Sequence, residues 1–304
     1  MSLLLRGMVL AAVVVVAGPA FGMGQGLKVC LESGAAPLSS EAHEGVDLAV
    51  TRLVADWLGR PVEIVWYEGE DDADASPAAQ VNGLLSAGLC QVAAGFPLVS
   101  DALRVPAPSA PYPLVLPDHS RRFVKLGTLM HSAPYRTLDY RLILGKSAGR
   151  SAVASLDAVT GLRVLAEQNS LADNLLLAHG GGVLREYIVH VPLPTGALAA
   201  LDKGEGDAAL VEGPQFDAWR AAHPDSALRD SGYRHPLRVN VGFVALDVRR
   251  GLLELFDEAL ADLLESGDVA AAFKRLGYRY EKPVEPVVLP PLTQRLLAPA
   301  EDGS

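Results

Sequence analysis

Short apolar runs alternate along this chain with segments whose apolar residues repeat every three to four positions. The runs that predict strands in the first third of the chain cover residues 27–31, 61–67 and 88–95. The segments between them predict helices, over residues 46–57 and 77–87. This strand–helix–strand–helix–strand order predicts parallel strands that are joined by right-handed crossovers.

The same alternation starts again near residue 140. The runs that predict strands here cover residues 140–144, 162–166, 187–191, 207–212 and 239–246. One helix is predicted to begin at Ser170, with Asp173 as a carboxylate in its first turn, and to end at the three glycines 180–182. The other helices are predicted over residues 195–203, 251–266 and 268–276. The pattern therefore predicts an α/β protein that is built from two such series.

Two proline-rich stretches interrupt the pattern. Residues 97–134 carry seven prolines, and we expect them to be irregular, as a functional segment or a surface elaboration. Residues 281–304 carry five prolines, and we expect an extended tail.

The first residues have the composition of an export signal. A single charge at Arg6 precedes an uncharged stretch over 8–17, and small residues follow it. We therefore predict a signal peptide over residues 1–22, cleaved near Gly22 or alternatively near Ala20, and a periplasmic location. An uncleaved membrane anchor is the alternative, but the apolar stretch is shorter than the roughly 20 residues that a span needs.

Composition narrows the function classes. With 26 basic and 36 acidic residues, the formal net charge is −10, which argues against non-specific binding to nucleic acid. Half of the residues are hydrophobic, so a chain of this length can bury a sizeable core.

Cys30 and Cys90 are the only cysteines, and each borders a predicted strand. In an exported protein this arrangement predicts one disulfide, provided that the first and third strands are neighbours. Two unpaired buried thiols are the alternative.

The order of these segments resembles that of the type 2 periplasmic solute-binding proteins, in their extracellular family 3 branch. The segments that carry the resemblance are residues 27–30, 45–59, 88–95, 162–170, 206–213 and 242–246. The resemblance implies two lobes, each a mostly parallel sheet flanked by helices, that close around a ligand by a two-strand hinge near 140–144 and 239–246. Lobe I would comprise residues 27–139 and 241–280, and lobe II residues 140–240.

Within that group the chain is most similar to the J-type accessory proteins of periplasmic quinoprotein methanol dehydrogenases. The positions of Cys30 and Cys90 carry this similarity, as does the segment 58–63 leading to Trp66, whereas residues 97–134 look like an insertion. It implies a non-catalytic partner of a quinoprotein dehydrogenase. The alternative is a receptor that delivers an amino-acid-like or organic-acid ligand to an ABC permease. An enzyme on this fold, such as a cyclohexadienyl dehydratase, is a third hypothesis, but no catalytic constellation is visible.

The resemblance also suggests arginines that could bind a ligand carboxylate. In amino-acid-binding members an arginine after the third strand forms two hydrogen bonds to that group. Arg104 is the nearest match, Arg136 is a second candidate and Arg141 is a rival; an ordinary surface arginine is the alternative for each.

Two further candidates lie in the second series. Ser170 corresponds to a helix start whose backbone N–H groups bind an anion, although it could serve only as a helix cap. Glu212 stands where amino-acid binders have an aspartate that pairs with the ligand amine, and a lobe-capping or hinge role is its alternative. Leu38 replaces an aromatic residue that usually stacks on the ligand, which counts against the usual amino-acid capture.

We expect no metal and no cofactor. The run 68–74 holds five acidic residues but lacks the spacing of a calcium loop, which favours a solvated loop. The seven histidines are scattered and form no metal-binding motif.

Overall fold

The computed structural model describes residues 26–69, 76–104, 111–116, 120–192 and 196–291. The predicted signal peptide, most of the acidic run that begins at Glu68 and the last part of the tail lie outside these ranges.

The first sheet is built on the strand–helix series that opens the chain. Strand β1 (Leu27–Glu32) lies between β2 (Val62–Tyr67) and β3 (Val92–Pro97), and both pairings are parallel. Helix α1 (Val46–Trp57) connects β1 to β2, and α2 (Pro77–Ser86) connects β2 to β3. The parallel arrangement predicted for this segment is confirmed.

Later parts of the chain complete the first sheet. Strand β13 (Val239–Leu246) pairs antiparallel with β3 on one side and with β6 (Leu129–His131) and β7 (Arg136–Leu138) on the other. Helices α7 (Arg250–Ser266) and α8 (Asp268–Arg275) follow β13 and pack against α1. The end of the chain thus returns to the core that its beginning forms.

Cys30 lies on β1, and Cys90 lies two residues before β3. Their sulfur atoms are bonded and their Cα atoms are 5.6 Å apart, within the range that disulfides span. The bond therefore ties β1 to the residues that lead into the neighbouring parallel strand β3, so the predicted disulfide is confirmed and the alternative of unpaired thiols is wrong.

The second sheet has the strand order β10–β9–β11–β8–β12. Its strands are β8 (Tyr140–Leu144), β9 (Val164–Glu167), β10 (Ile188–Val191), β11 (Ala208–Glu212) and β12 (Arg229–Arg234). Its α-helices are α4 (Leu171–Ala178), α5 (Ala197–Asp202) and α6 (Gly213–Ala222). Strand β9 pairs in parallel with β10 and β11, whereas β8 pairs antiparallel with β11 and β12. The chain crosses between the sheets at Asp139 and over residues 235–238.

The expectation that residues 97–134 are irregular is wrong in part. They contain the short helix α3 (Ser100–Leu103) and strand β6 of the first sheet. They also contain an antiparallel hairpin of β4 (Tyr112–Val115) and β5 (Arg121–Val124). The prolines fit this structure because Pro97 ends β3 and Pro113 lies in a two-stranded ribbon, where a missing N–H is tolerated.

Residues 281–291 run alongside β7 and β13, the two strands of the first sheet that border the crossings between the sheets. The Asn240 side chain is fully buried and donates to the carbonyl oxygens of Val284 at 2.6 Å, Val287 at 3.1 Å and Pro286 at 3.3 Å. Its Oδ1 accepts a hydrogen bond from the Val284 N–H at 2.9 Å. One side chain on β13 therefore holds this segment in place.

Replacing Asn240 with alanine should release residues 281–291. Three carbonyl groups and the Val284 N–H would lose their partner on the buried Asn240 side chain, so we expect the free energy of unfolding to fall by about 2–3 kcal/mol. Chemical denaturation measures this loss, and hydrogen exchange should rise over 281–291. The control is Asn174→Ala, which removes a hydrogen bond to the Ser170 carbonyl from an exposed side chain and should cost less than about 1 kcal/mol. Equal stability of the two variants would contradict the prediction.

Candidate ligand-binding site

A buried ion pair connects the start of α1 to β7. The Arg136 guanidinium donates from Nε to Asp47 Oδ1 at 3.0 Å and from Nη2 to Oδ2 at 3.1 Å. The Tyr135 hydroxyl donates to the same Oδ1 at 2.6 Å. These residues are at most 3% exposed. Asp47 also lies in the first turn of α1, where the helix dipole favours a negative charge.

The backbone of β3 is adapted to this cluster. Gly95 has a φ of +76°, and a Cβ there would lie 3.0 Å from Asp47 Oδ2, so glycine fits both the conformation and the close approach. Its N–H donates to the Tyr135 hydroxyl oxygen at 2.9 Å. Asp47 and Tyr135 are thereby held against β3.

The protonation states of the cluster follow from this geometry. Burial alone would lower the pKa of Arg136, but the charge and hydrogen bonds of Asp47 act together with Tyr135 and Glu212 and raise that pKa above its ordinary value. Burial and the nearby Asp47 charge raise the pKa of Tyr135. At neutral pH Arg136 is therefore a charged guanidinium and Tyr135 a neutral phenol.

A small cavity of about 30 Å³ lies at the carboxyl ends of β9 and β11. Its polar lining comes from Tyr140, Glu167, Ser170, Glu212 and Gln215. The Tyr140 hydroxyl donates to Glu212 Oε1 at 3.3 Å, and the Gln215 side-chain oxygen accepts from the Glu212 N–H at 3.1 Å. Glu212 Oε2 is buried and has no hydrogen-bond partner among the described residues.

The pKa of Glu212 is raised to near neutral pH. Burial raises its pKa to about 7, the charge of Arg136 opposes this, and the charges of Glu167 and Asp47 reinforce it. Burial also raises the pKa of Glu167. The cavity and the buried ion pair are thus near enough to influence each other electrostatically.

Replacing Glu212 with glutamine should stabilise the protein above pH 7. The folded-state pKa of about 7 exceeds the ordinary 4.5. The free energy of unfolding of the wild type should therefore fall as the pH rises from 4.5 to 7, and it should stay low above pH 7. The loss is at most about 3 kcal/mol, and the glutamine variant should lack it. Urea denaturation from pH 4 to 9 tests this; parallel curves for the two proteins would contradict it.

Ser170 caps α4 as predicted. Its hydroxyl oxygen accepts a hydrogen bond from the Asp173 N–H at 3.1 Å, and Asp173 Oδ2 accepts one from the Asn169 N–H at 3.2 Å. The cap role is thereby confirmed. Ser170, Leu171 and Ala172 also line the cavity, so the N-terminus of α4 faces the space beside Glu212.

The candidate arginines lie in different surroundings. Arg104 is exposed at the end of α3. Arg141 donates to Asp139 and to Asp217, each at 2.8 Å. Of the four residues predicted to bind a ligand, the structure brings together Ser170 and Glu212 at the cavity and Arg136 close to them. It does not place Arg104 among the cavity-lining residues.

Asp47, Tyr135 and Glu167 escape prediction from sequence. Asp47 carries a weak signal, since it lies three and four residues before Val50 and Thr51 on the buried face of α1. Leu38, at the position of the usual aromatic, is buried, and its carbonyl oxygen accepts from the Asp47 N–H at 2.9 Å.

No family model matches this chain, and no curated protein matches it. Among solved structures it is similar to a histidine kinase sensor domain with similarity to periplasmic binding proteins (17% identity, 86% of this chain and 99% of that one, TM-score 0.62). It is also similar to the GluR0 ligand-binding core in complex with L-glutamate (17% identity, 84% and 100%, TM-score 0.61). A third similar structure is the L-cysteine solute receptor of Neisseria gonorrhoeae (15% identity, 83% and 89%, TM-score 0.58).

The chain has the two-lobed type 2 periplasmic binding protein fold. In this fold the first sheet and its helices form one lobe, and the second sheet with its helices forms the other. Asp47, Tyr135 and Arg136 belong to the first lobe, whereas Glu167 and Glu212 belong to the second. The charges of Asp47 and Arg136 act on Glu212, so residues of the two lobes interact electrostatically.

The described residues hold neither a candidate membrane span nor a candidate metal site. None of their helices is long and apolar enough to cross a membrane. They also contain no group of three histidine, cysteine, aspartate or glutamate side chains placed to hold a metal ion.

Proposed function

We propose that this chain is a non-catalytic binding protein that acts as an accessory partner of a periplasmic quinoprotein dehydrogenase. The observation that carries the proposal is the two-fold hydrogen bonding of Arg136 to Asp47. Asp47 makes the contact that a ligand carboxylate would make. In the proposed cleft, Asp47 therefore already provides the charged acceptor for Arg136.

Amino-acid capture fits this geometry poorly. A ligand carboxylate would have to displace Asp47 and leave it buried without its counter-charge, which costs about 3–5 kcal/mol. The cavity beside Glu212 measures about 30 Å³, whereas small-molecule sites typically measure about 300–1,000 Å³. Partner binding by the protein surface requires neither change.

The sequence supports the identity and compartment of the partner. The resemblance through Cys30, Cys90 and the segment 58–63 points to accessory proteins of quinoprotein methanol dehydrogenases. A disulfide of this kind is typical of an oxidising compartment, in agreement with export by a signal peptide over 1–22. We propose lobe I as residues 27–139 with 241–280, lobe II as 140–240, and 281–304 as the tail.

Reciprocal affinity purification from the periplasm of the source organism tests the proposal. A tagged chain should recover a quinoprotein dehydrogenase, and the tagged dehydrogenase should recover this chain. Native mass spectrometry of the purified complex should then show a fixed ratio of the two proteins. Recovery of an ABC permease without a dehydrogenase would contradict the proposal.

A receptor for a small ligand, serving an ABC permease, is the second candidate. The unpartnered Oε2 of Glu212 favours it, because a ligand amine would supply the missing donor. Ser170 and Glu212 would then bind the ligand, and Arg104 and Arg136 would be candidate contacts in an opened cleft. Native mass spectrometry of the chain purified without refolding should show a bound small molecule if this candidate is right.

A further inference from the structure

The hairpin of β4 and β5 is held rigidly against the first lobe. In its register Tyr112 lies opposite Val124, and Leu114 opposite Arg122. Leu114 is fully buried and Val124 is 7% exposed, in a cluster with residues of α2. A Cβ at Gly83 would lie 3.0 Å from the Tyr112 ring, so the glycine allows that ring to pack on α2. This inner face fixes the hairpin in place.

Among the described residues, the outer face of the hairpin has no such cover. Because side chains alternate along a strand, Arg121, Phe123 and the following Lys125 point away from the inner face. Phe123 is 72% exposed, and Val115, opposite Arg121, is 37% exposed. The result is an aromatic ring between two cations on a rigid support.

The charge of this hairpin is opposite to that of the whole protein. Over residues 111–125 the sequence holds three basic residues, Arg121, Arg122 and Lys125, and one acidic residue, Asp118, whereas the whole chain carries a net charge of −10. An acidic surface would be attracted to the hairpin and repelled by most of the remaining protein. The charge distribution therefore favours this hairpin as the docking face for an acidic partner and sets the orientation in which the partner binds.

We infer that the outer face of this hairpin, defined by Val115, Arg121, Phe123 and Lys125, docks an acidic segment of the partner protein. Phe123 would contact an apolar side chain of that segment while the cations pair with its carboxylates. Aromatic residues and arginine are the residue types that dominate binding energy at protein interfaces. Rigid presentation also lowers the entropy cost of ordering the surface on binding. The inference rests on the proposed function for the existence of a partner.

Site-specific photo-crosslinking tests the inference in the full chain, expressed in its own periplasm. A photoreactive residue replaces Phe123, and in a matched control it replaces Val248, which is 80% exposed beside Arg249 and Arg250. We expect a protein adduct from position 123 and none from position 248. Mass spectrometry should place the adduct in a segment of net negative charge. Arg121→Glu with Arg122→Glu should reduce the yield at least tenfold.

Affinity measurements with the two purified proteins quantify the contribution of Phe123. Phe123→Ala should weaken binding about tenfold, whereas Val248→Ala should leave the affinity unchanged. Both positions are exposed, so the variants should melt like the wild type. An adduct with lipid or with a second copy of this chain, equal yields at 123 and 248, or an unchanged affinity of Phe123→Ala would overturn the inference. An acidic adduct partner that is not a dehydrogenase would support the hairpin surface and contradict the proposed partner.

Discussion

Replacing Asp47 with asparagine should lower the free energy of unfolding by about 3–5 kcal/mol, the usual cost of breaking a buried ion pair on one side. Arg136 is 3% exposed and would remain charged without its counter-ion. The Tyr135 hydroxyl and two guanidinium N–H groups would also lose a charged acceptor. Urea denaturation at pH 7 measures the change directly.

The matched control is an exposed ion pair in the same lobe. Lys28 Nζ lies 2.9 Å from Glu63 Oε1, with side chains that are 48% and 58% exposed. Glu63→Gln should therefore cost less than about 1 kcal/mol. A loss for Asp47→Asn no larger than that of the control would show that the cluster is not the buried ion pair described here.

Removing the disulfide should have a comparable effect. Cys30 and Cys90 are 60 residues apart in sequence, and closing a loop of this length stabilises by about 4 kcal/mol in the chain-entropy treatment. Cys30→Ala combined with Cys90→Ala should therefore lower the free energy of unfolding by about that amount. Equilibrium denaturation of the oxidised wild type and the double variant provides the comparison.

Reduction of the wild type with dithiothreitol under denaturing and refolding conditions is the independent check. The reduced protein should match the double variant in stability, since both lack the same cross-link. A double variant that is as stable as the oxidised protein would contradict the loop-entropy explanation.

Local patterns were sufficient to predict much of this fold. The buried face of α1 and the flanking apolar runs predict β1, α1 and β2 because each element depends on residues close in sequence. The disulfide followed from one further inference, that the first and third strands are neighbours. Local sequence patterns predict structure to this extent where local preference and tertiary packing agree.

Other elements escaped because their signals are short or depend on distant partners. Helix α6 starts directly at the end of β11, with Pro214 in its first turn, which is a helix-start signal that the Gly–Pro pair obscured. The hairpin strands β4 and β5 have four residues each, too few for a clear alternation. Their position depends on packing against α2.

The candidate site, like the fold, is only partly predictable from the sequence. Ser170 and Glu212 could be placed at the ends of predicted elements, and the structure brings both to one cavity. The pairing of Arg136 with Asp47 spans 89 residues and depends on how β7 meets α1. No sequence pattern predicts that contact, yet it decides how the cleft is interpreted.

A thermal-shift titration of the protein with the twenty α-amino acids measures whether it captures any of them. A ligand at about 100 times its Kd stabilises the folded state by about 2.7 kcal/mol, which would raise the melting temperature by several degrees. Because Asp47 already occupies Arg136, we predict no shift with any amino acid at millimolar concentration. A saturable shift with one of them, abolished in Glu212→Ala, would instead show that the protein binds an amino acid.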